Sequence, residues 1–262
     1  MSKVKRMFWD IETSPNIAFT WKCGWKVSVN HWNIIHERAI ICICWKWEEQ
    51  KGVFSLTWDE GDDKEMLAKF SEEVAKADEM VAHNGDKFDM RWFNGRCLIH
   101  ELSPPPKPKL VDTWKMTKRN FNLNSGRLDY LGHLLLGEGK IDTGGFDLWR
   151  RICLNNDQAA LRKMVKYCKH DVVLLERIWQ KLRDYEAAAT HAAVNVSGDP
   201  MHRWKCQHCG SDHVHTNKTR ITAKGMTQFN MKCNECGRYY TIANNVHNWY
   251  LAAKRDEDGQ DS

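Results

Sequence analysis

The sequence predicts an α/β fold in which a mixed sheet is flanked by helices, followed by a small cysteine-bearing β module. Strand-like segments come first, up to residue 58, and strands and helices are then mixed up to about residue 183. That order is typical of α/β proteins with a mixed sheet. After residue 186 an alanine-rich stretch leads into a basic segment with two Cys-x-x-Cys pairs. This change of composition predicts a second, smaller domain.

The first predicted elements are strands. Residues 4–11 form a strand that ends in a pair of carboxylates. Residues 17–29 carry aromatic and β-branched side chains, which fit either a second strand or an irregular hairpin. Residues 39–47 alternate apolar and β-forming side chains and are a strand, and residues 53–58 are its hairpin partner.

Helices and one short strand follow. Residues 64–77 have apolar side chains three and four residues apart, which predicts an amphipathic helix. Residues 79–82 form a short strand that runs into His83-Asn84-Gly85, and residues 87–100 form the next helix.

The last part of the large domain begins with a loop, residues 102–110, which holds four of the six prolines. A short strand at residues 111–112 comes next. Ser125 is the predicted N-cap of a helix that ends at residue 136. Residues 157–183 are strongly amphipathic and form one long helix or two shorter ones.

The chain therefore divides into four parts. Residues 1–186 form the large domain, residues 187–200 a linker and residues 201–250 the cysteine module. Residues 251–262 are polar and acidic and are predicted to be a disordered tail.

Composition excludes several classes of protein. Hydrophobic residues make up 42% and charged residues 28% of 262 residues, as in ordinary globular domains. No apolar run approaches the ~18 residues of a membrane span, and no cleavable apolar segment follows the basic N-terminus. We therefore expect a cytoplasmic protein, of the nucleoid or of a host cell, without a membrane partner. The net charge of +5 does not by itself indicate a nucleic-acid partner.

The first candidate site is the pair Asp10 and Glu12 at the end of the first strand. Side chains two residues apart on a strand face the same way, so the two carboxylates repel each other unless a cation lies between them. Mg²⁺ is a natural choice for such oxygen ligands. A solvated strand end is the alternative.

The second candidate is the stretch from Asn84 to Asp89, which follows a strand and opens a helix. Asp89 is either a ligand or an acid that the helix dipole favours in the first turn. Asn84-Gly85 is likewise either part of the site or only a turn. Asp86 is the rival acid in this stretch.

The third candidate is Tyr167 with Asp171, four residues apart on one face of the long helix. An acid beside the apolar face of a helix is costly to desolvate unless it is paired or ligates a metal. A surface acid next to a half-buried tyrosine is the alternative.

Taken together, the three motifs resemble the DEDD superfamily of 3′–5′ exonucleases. The order is Asp-x-Glu, then Asn-x-x-x-Phe-Asp, then Tyr-x-x-x-Asp, and the tyrosine is typical of the tyrosine branch. The stretches Phe8-Trp9-Asp10-Ile11-Glu12-Thr13 and Ser125-Gly126-Arg127-Leu128-Asp129-Tyr130-Leu131 are similar to the proofreading exonuclease domain of family B DNA polymerases. The similarity covers residues 4 to 183, so a stand-alone enzyme is expected.

The resemblance implies a ribonuclease H-like fold and two Mg²⁺ or Mn²⁺ ions held by four acids. By position these acids are Asp10, Glu12, Asp89 and Asp171. Tyr167 takes the role of orienting the attacking water. Thr13 and Asn84 match family residues that lie near the substrate.

Other polar residues near these motifs have two interpretations each. His170 adjoins Asp171 but points about 100° away around the helix, which makes it a flanking residue. Asp112 and Asp129 are expected to be structural. Five basic residues are either phosphate contacts or part of a solvated basic face: Lys115, Lys118, Arg119, Arg127 and Lys140.

The cysteine module has strong metal-ligand spacing. Cys206-x-x-Cys209 and Cys233-x-x-Cys236 are separated by 23 residues, and a glycine follows each pair. Two such turns complete a tetrahedral Zn²⁺ site, and the segment resembles a zinc ribbon. With four thiolates used the zinc is structural. The interleaved basic and aromatic residues suit nucleic acid, and a protein partner is the alternative.

The sequence thus predicts a stand-alone, two-metal-ion 3′–5′ exonuclease with a structural zinc ribbon. Single-stranded DNA with a free 3′ end is the expected partner and substrate, and nucleoside 5′-monophosphates the expected products. Two alternatives stand beside this prediction. One is a 3′–5′ exoribonuclease that trims RNA, and the other is a non-catalytic nucleic-acid-binding protein that retains the nuclease fold.

Overall fold

The computed structural model describes residues 4–48 and 50–260, with side chains described up to residue 256. Its contacts divide the chain into two compact units, Arg6–Leu182 and a second unit that holds the described residues from Arg183 onward together with Val4 and Lys5. The division lies close to the boundary that the sequence predicts after residue 186.

The larger unit is built on a five-stranded mixed sheet, which confirms the predicted α/β class. Its strands and those of a small two-stranded ribbon are β1 (Arg6–Thr13), β2 (Ile17–Ala18), β3 (Ile34–His36), β4 (Ile40–Trp47), β5 (Phe54–Thr57), β6 (Glu79–Ala82) and β7 (Lys109–Asp112). The order across the sheet is β5-β4-β1-β6-β7. β1, β4 and β5 pair antiparallel, while β6 and β7 run parallel to β1.

Helices cover the sheet of this unit. They are α1 (Lys64–Val74), α2 (Asp89–Ile99), α3 (Thr113–Asn120), α4 (Leu128–Leu136), α5 (Asp147–Asn155) and α6 (Gln158–Leu182). The main core lies between sheet and helices, and its largest fully buried side chains include Trp9, Phe8, Phe70 and Phe93. Rings in this core contact one another edge to face and stacked, for example Trp9 with Phe70 at 5.4 Å.

The structure decides two alternatives that the sequence left open, changes one expectation and adds two helices. The segment 17–29 is not a regular strand: only β2 and β3 pair, around an irregular tip. Residues 157–183 form one helix, α6, rather than two. Ser125 is not the N-cap of α4, which starts at Leu128 after Arg127; its hydroxyl oxygen instead accepts from the Arg127 amide at 3.2 Å. α3 and α5 were not predicted.

The smaller unit contains a three-stranded antiparallel sheet of β8 (Val214–Ile221), β9 (Thr227–Cys233) and β10 (Tyr239–Ala243) in the order β10-β9-β8. It also contains α7 (Ala192–Ser197) and α8 (Asn244–Gln260). Its buried residues cluster around Trp204, Cys206, Met231 and Cys233.

Two predictions about this unit are wrong. The linker predicted at 187–200 contains α7, because Ala192 and Ala193 are buried and the Ala192 amide donates to the carbonyl of Gln207 at 2.9 Å. The tail predicted to be disordered is helical through Gln260, since α8 places Val246 and Tyr250 against the small core. Residues 261 and 262 of that tail lie outside the described residues. Within the described part of the chain, no helix combines the length and apolar character needed to cross a membrane.

Candidate active site

The central strand β1 carries Asp10 and Glu12, which leave the same face of the strand on either side of buried Ile11. β4 pairs with β1 along this stretch, so Asp10 lies opposite Cys44 and Glu12 opposite Cys42. On the other side, β6 pairs with β1 only as far as Phe8. Beyond that point the amide of Ile11 has no ladder partner and donates instead to the Asp89 carboxylate at 3.2 Å.

Asp89 reaches β1 because the turn between β6 and α2 is tight. Asn84 adopts a left-handed conformation with φ 64°, which asparagine tolerates better than most residues. A side chain at Gly85 would collide with Ala82. The turn therefore starts α2 at Asp89, whose side chain is 2% exposed and hydrogen-bonded to the strand that carries the other two acids.

The helix α6 supplies the fourth acid. It packs on β1 and β4, and its apolar face turns Asp171 into the interior, where the residue is fully buried. Carboxylate oxygens of Asp10, Glu12 and Asp171 lie within 4.8 Å of one another. The Asp171 Oδ1 atom has no hydrogen-bond partner among the described residues.

The pKa values of all four acids in this cluster are raised. Burial, followed by the charges of Asp89 and Asp171, raises the pKa of Asp10 well above its usual value. Burial and then the Cys42 thiol raise the pKa of Glu12 to about 8, and burial raises the pKa of Asp89 to about 7. Burial also raises the pKa of Asp171. Two buried and two partly buried carboxyls this close together cannot all ionise at neutral pH unless cations join them.

Lys140 is a site residue whose importance sequence reasoning missed. It was grouped with four other basic residues as a phosphate contact or a solvated charge. Its Nζ donates to Asp171 Oδ2 at 2.5 Å and to the Tyr167 hydroxyl at 3.1 Å. Although burial acts to lower the pKa of Lys140, the charges of Asp171 and Asp10 raise it well above the usual value. The lysine therefore stays protonated inside the cluster.

The loop that presents Lys140 is fixed by polar contacts. Asp129 Oδ1 accepts from the Lys140 amide at 2.7 Å, which confirms the structural role predicted for Asp129. The ring of His170 hydrogen-bonds through Nε2 to the Gly139 carbonyl at 2.9 Å, so His170 flanks the site as expected. A side chain at Gly139 would collide with His133 and Asp129. No local pattern in the sequence indicates this arrangement, because Asp129, Lys140 and His170 lie in separate segments.

The two residues predicted to contact substrate lie at the rim of the cluster. Thr13 follows Glu12 on β1, and its hydroxyl oxygen accepts from the Arg38 guanidinium at 2.8 and 3.0 Å. Asn84 lies in the turn before Asp89, and its amide donates to Asp112 Oδ1 at 2.9 Å. Their contacts to a substrate stay predictions.

Asp86, the rival acid of the second motif, is held elsewhere. It forms an ion pair with Lys115 on α3, whereas Asp89 bonds to β1. Asp112 caps α3 by accepting from the amides of Trp114 and Lys115 at 2.9 and 3.3 Å, so it is structural as predicted.

Three buried cysteines lie directly beneath the acids. The sulfur atoms of Cys42, Cys44 and Cys168 lie within 4.8 Å of one another, and Cys168 Sγ is 3.6 Å from Asp10 Oδ2. All three side chains are fully buried, and they form the small, apolar layer on which Asp10 and Glu12 rest.

The smaller unit brings the other four predicted ligands together. Cys206, Cys209, Cys233 and Cys236 have sulfur atoms within 4.8 Å of one another. Cys206 is 3.6 Å from Cys236, and Cys209 is 3.6 Å from Cys233. Gly210 and Gly237 close the two turns with φ 80° and 72°, and their amides donate back to the carbonyls of Cys206 and Cys233 at 2.9 and 3.0 Å. These separations fit four thiolates around one tetrahedral Zn²⁺.

Comparisons with known proteins identify the family of the larger unit. Residues 36–183, more than half of the chain, match the RNase_H_2 family model of the RNase_H superfamily. No curated protein matches the sequence.

Among solved structures, the fold is similar to the family B DNA polymerase from the hyperthermophilic archaeon Pyrobaculum calidifontis. The TM-score is 0.54 at 14% identity, over 70% of this chain and 25% of that polymerase. The chain thus spans about a quarter of the length of the polymerase, and at this identity the likeness establishes the fold alone.

Proposed function

The chain belongs to the ribonuclease H superfamily, and from that premise we propose that it is a divalent-metal-dependent 3′–5′ exonuclease. Its proposed substrate is single-stranded DNA and its products are nucleoside 5′-monophosphates. The observation that carries the proposal is the convergence of Asp10, Glu12, Asp171 and Tyr167, with Asp89 hydrogen-bonded between the first two. These residues come from three distant segments, and the packing of a core does not explain two buried and two partly buried acids in one place.

The donor set fits a pair of Mg²⁺ or Mn²⁺ ions. All four candidate ligands are carboxylates, which such hard cations prefer. Asp171 Oδ1 is buried without a partner among the described residues, and burial raises the pKa of each acid. When bound, a pair of such ions lowers the pKa of an attacking water and neutralises the charge on the departing oxygen.

The protein's own residues supply orientation and further charge. Burial, aided by the charge of Asp171, raises the pKa of Tyr167 to about 12, so its hydroxyl stays protonated and orients a water molecule rather than acting as a base. Protonated Lys140 lies 3.1 Å from that hydroxyl and adds positive charge where a phosphate would enter. Thr13 and Asn84, at the rim, are the proposed contacts to the terminal nucleotide.

The choice of DNA and of 3′–5′ direction rests on the family B exonuclease motifs around Asp10 and residues 125–131. The solved structure with a similar fold is that of a DNA polymerase, which favours DNA over RNA as the proposed substrate. Exoribonuclease activity and binding without cleavage stay as the two alternatives. The second is disfavoured because a non-catalytic protein would usually have lost one of the acids, whereas the sequence keeps all four acids and Tyr167.

The smaller unit is proposed to be a zinc ribbon with one structural Zn²⁺ on Cys206, Cys209, Cys233 and Cys236. Zinc ribbons bind nucleic acid or protein. The basic residues of its sheet, such as Lys218, Arg220 and Lys232, favour nucleic acid. A protein partner is the alternative.

The decisive experiment uses single-stranded DNA labelled at its 5′ end and the RNA of the same sequence. Each is incubated with the protein and Mg²⁺ or Mn²⁺, with EDTA, and with the Asp10→Ala variant. The matched control is Asp86→Ala, which removes an acid from the same region outside the ligand cluster. We expect a descending ladder of products that EDTA and Asp10→Ala abolish and that Asp86→Ala preserves.

The outcomes separate the alternatives. A faster ladder on RNA would replace DNA with RNA as the substrate class. Binding without cleavage of either strand would overturn the enzyme and favour the nucleic-acid-binding protein. Equal loss with Asp86→Ala and Asp10→Ala would contradict the proposed ligand set.

A further inference from the structure

A projecting segment of the larger unit is unlike the rest of its surface. Residues 17–36, which we call the tryptophan arm, leave the sheet after β1 and return before β4. β2 and β3 pair only at its base, and the Phe19 amide adds one bond to the Asn33 carbonyl at 3.0 Å. The tip beyond these bonds has no regular pairing.

The tip exposes large aromatic side chains to solvent. Phe19, Trp21, Trp25 and Trp32 expose between 71% and 100% of their surface, whereas tryptophans in folded domains are mostly buried. Several aromatic side chains on one short segment are not explained by the fold, since none of the four belongs to a buried cluster of the described residues. A cluster of this kind marks an interaction site.

The positive charge of the arm indicates which class of partner it binds. The arm contains Lys22, Lys26 and two histidines but no aspartate or glutamate. Lys26 Nζ lies 4.4 Å from the ring centroid of Trp25, so positive charge and an aromatic face occur together. An apolar protein surface would not require lysines between the rings. A single-stranded polyanion with planar bases matches both features, because bases stack on aromatic rings and phosphates pair with lysine.

The base of the arm lies at the acid cluster. β1 ends at Thr13, one residue after Glu12. Across the base, the Ser14 amide donates to the Ala39 carbonyl at 2.8 Å. Arg38, just after the arm, donates to the Thr13 hydroxyl oxygen at 2.8 Å and lies 4.7 Å from the ring of Trp92. The arm therefore starts beside the acids at which the 3′ end of a nucleic-acid strand would be cleaved.

We infer that the tryptophan arm is a stacking platform for unpaired bases of the strand whose 3′ end lies at the four acids. The inference rests on the proposed exonuclease function and adds a substrate feature to it. For the arm to hold the strand, the nucleotides that precede the 3′-terminal one must be unpaired. Trp21, Trp25 and Trp32 are the specificity-determining residues, and Lys22 and Lys26 contact the backbone.

The experiment compares two substrates that differ in reach. The p-nitrophenyl ester of thymidine 5′-monophosphate fills the acid cluster but cannot reach the arm, whereas a long oligothymidylate reaches both. Variants are Trp21→Ala, Trp25→Ala and the triple variant with Trp32→Ala. Trp25→Phe keeps a ring, and Leu98→Ala removes an exposed apolar side chain from α2 as the matched control.

We expect each alanine variant to lower kcat/KM on the oligomer by about tenfold or more and the triple variant by about a thousandfold. Activity on the ester should stay unchanged in all of them. Trp25→Phe should recover most of the oligomer activity, and Leu98→Ala should match the wild type. Binding of oligothymidylate in EDTA, followed by quenching of tryptophan fluorescence, should weaken in the same order.

Several outcomes would overturn the inference. Equal kcat/KM on the oligomer in wild type and triple variant would remove the arm from substrate binding. Parallel loss on oligomer and ester would place the effect in the active site itself. A wild type that sediments as a dimer and a triple variant that sediments as a monomer, with equal oligomer binding, would assign the arm to a second copy of the chain.

Failure of the proposed function gives a different pattern. A wild type that cleaves neither substrate contradicts the exonuclease. The binding measurement in EDTA still decides the arm in that case, since retained binding that the triple variant loses supports the stacking platform, and absent binding overturns it.

Discussion

Two sites in this protein each bring together four candidate ligand residues, and they do so in opposite ways. The cysteines come from two tight turns within residues 206–236, where the Cys-x-x-Cys spacing alone brings each pair together. The acids come from β1, α2 and α6, and the first and last are 161 residues apart (171 − 10). The first site is local in sequence and the second depends on the fold.

The hydrophobic cores around the two sites also differ, one being large and the other small. The acids lie above a core of many buried aromatic and aliphatic side chains, which pack β1, α2 and α6 against one another. Cys206 and Cys233 are themselves members of a core of eight buried residues. A module of that size generally needs a metal to fold. We therefore expect the proposed zinc to stabilise the fold of the smaller unit, and the proposed ions at the acids to serve the chemistry alone.

The largest expected effect follows from removal of the metal at the cysteines, and it tests the difference between the two sites. Removing Zn²⁺ with a strong chelator, or replacing Cys206 and Cys236 by serine, should unfold the smaller unit, since a structural zinc contributes about 10 kcal/mol or more. Hydrogen exchange followed by mass spectrometry should show loss of amide protection in β8, β9 and β10 but not in β1 and β4. Cys23→Ser, which alters an exposed cysteine, is the control. Retained protection of β9 after chelation would contradict a structural metal.

A smaller effect sharpens the chemistry of the acid site. Lys140→Met removes the positive charge that lies 2.5 Å from Asp171, and we expect kcat on single-stranded DNA to fall by about a hundredfold with KM changed less. Lys163→Met is the matched control, because its ammonium donates to the Thr143 carbonyl outside the cluster. A loss confined to KM would assign Lys140 to binding of the strand rather than to the reacting phosphate.

The smallest effect is a pH dependence of stability in the metal-free protein. The folded pKa of Glu12 is about 8 against an ordinary value of 4.5. A pKa raised in the folded state contributes stability below the unfolded value and loses it as pH rises through the folded value. In EDTA, the Tm should therefore decrease as the pH rises from about 5 to about 8. Mg²⁺ should reduce the fall because it binds the ionised carboxylates.

Glu12→Gln tests the assignment of that pH dependence. The variant should flatten the fall in Tm in EDTA, since its amide carries no charge at any pH. Glu65→Gln, on the exposed side of α1 where Glu65 pairs with Lys69, should behave as the wild type does. An unchanged slope in Glu12→Gln would show that this carboxyl does not ionise in the window.

Prediction from sequence succeeded where a residue's neighbours lie close along the chain or where three motifs together constrained the topology. The helix face that joins Tyr167 to Asp171 and the strand face that joins Asp10 to Glu12 follow from backbone periods of 3.6 and 2. It failed at the tail, because α8 is stabilised by packing of Val246 and Tyr250 on a core that composition does not reveal. It also failed at Ser125, whose hydroxyl bonds in a turn before α4 begins.

Lys140 shows the limit most directly. Five basic residues looked alike in the sequence, yet only the fold separates them: Lys115 pairs with Asp86 on the rim, while Lys140 enters the acid cluster. The difference depends on Asp129 and His170, which fix the loop from two different helices. Contacts of this kind join segments tens of residues apart, and no local pattern records them.

The sequence by itself determined the α/β class, the candidate acids and the paired cysteines, because strand and helix periods and turn spacing are properties of neighbouring residues. The tertiary structure decided which basic residue joins the acids and which acid of the second motif reaches β1. It also decided that the tryptophans of residues 17–36 face solvent while Trp9 is buried in the core. Burial and long-range proximity arise only when the whole chain packs, and charge and desolvation act through those distances.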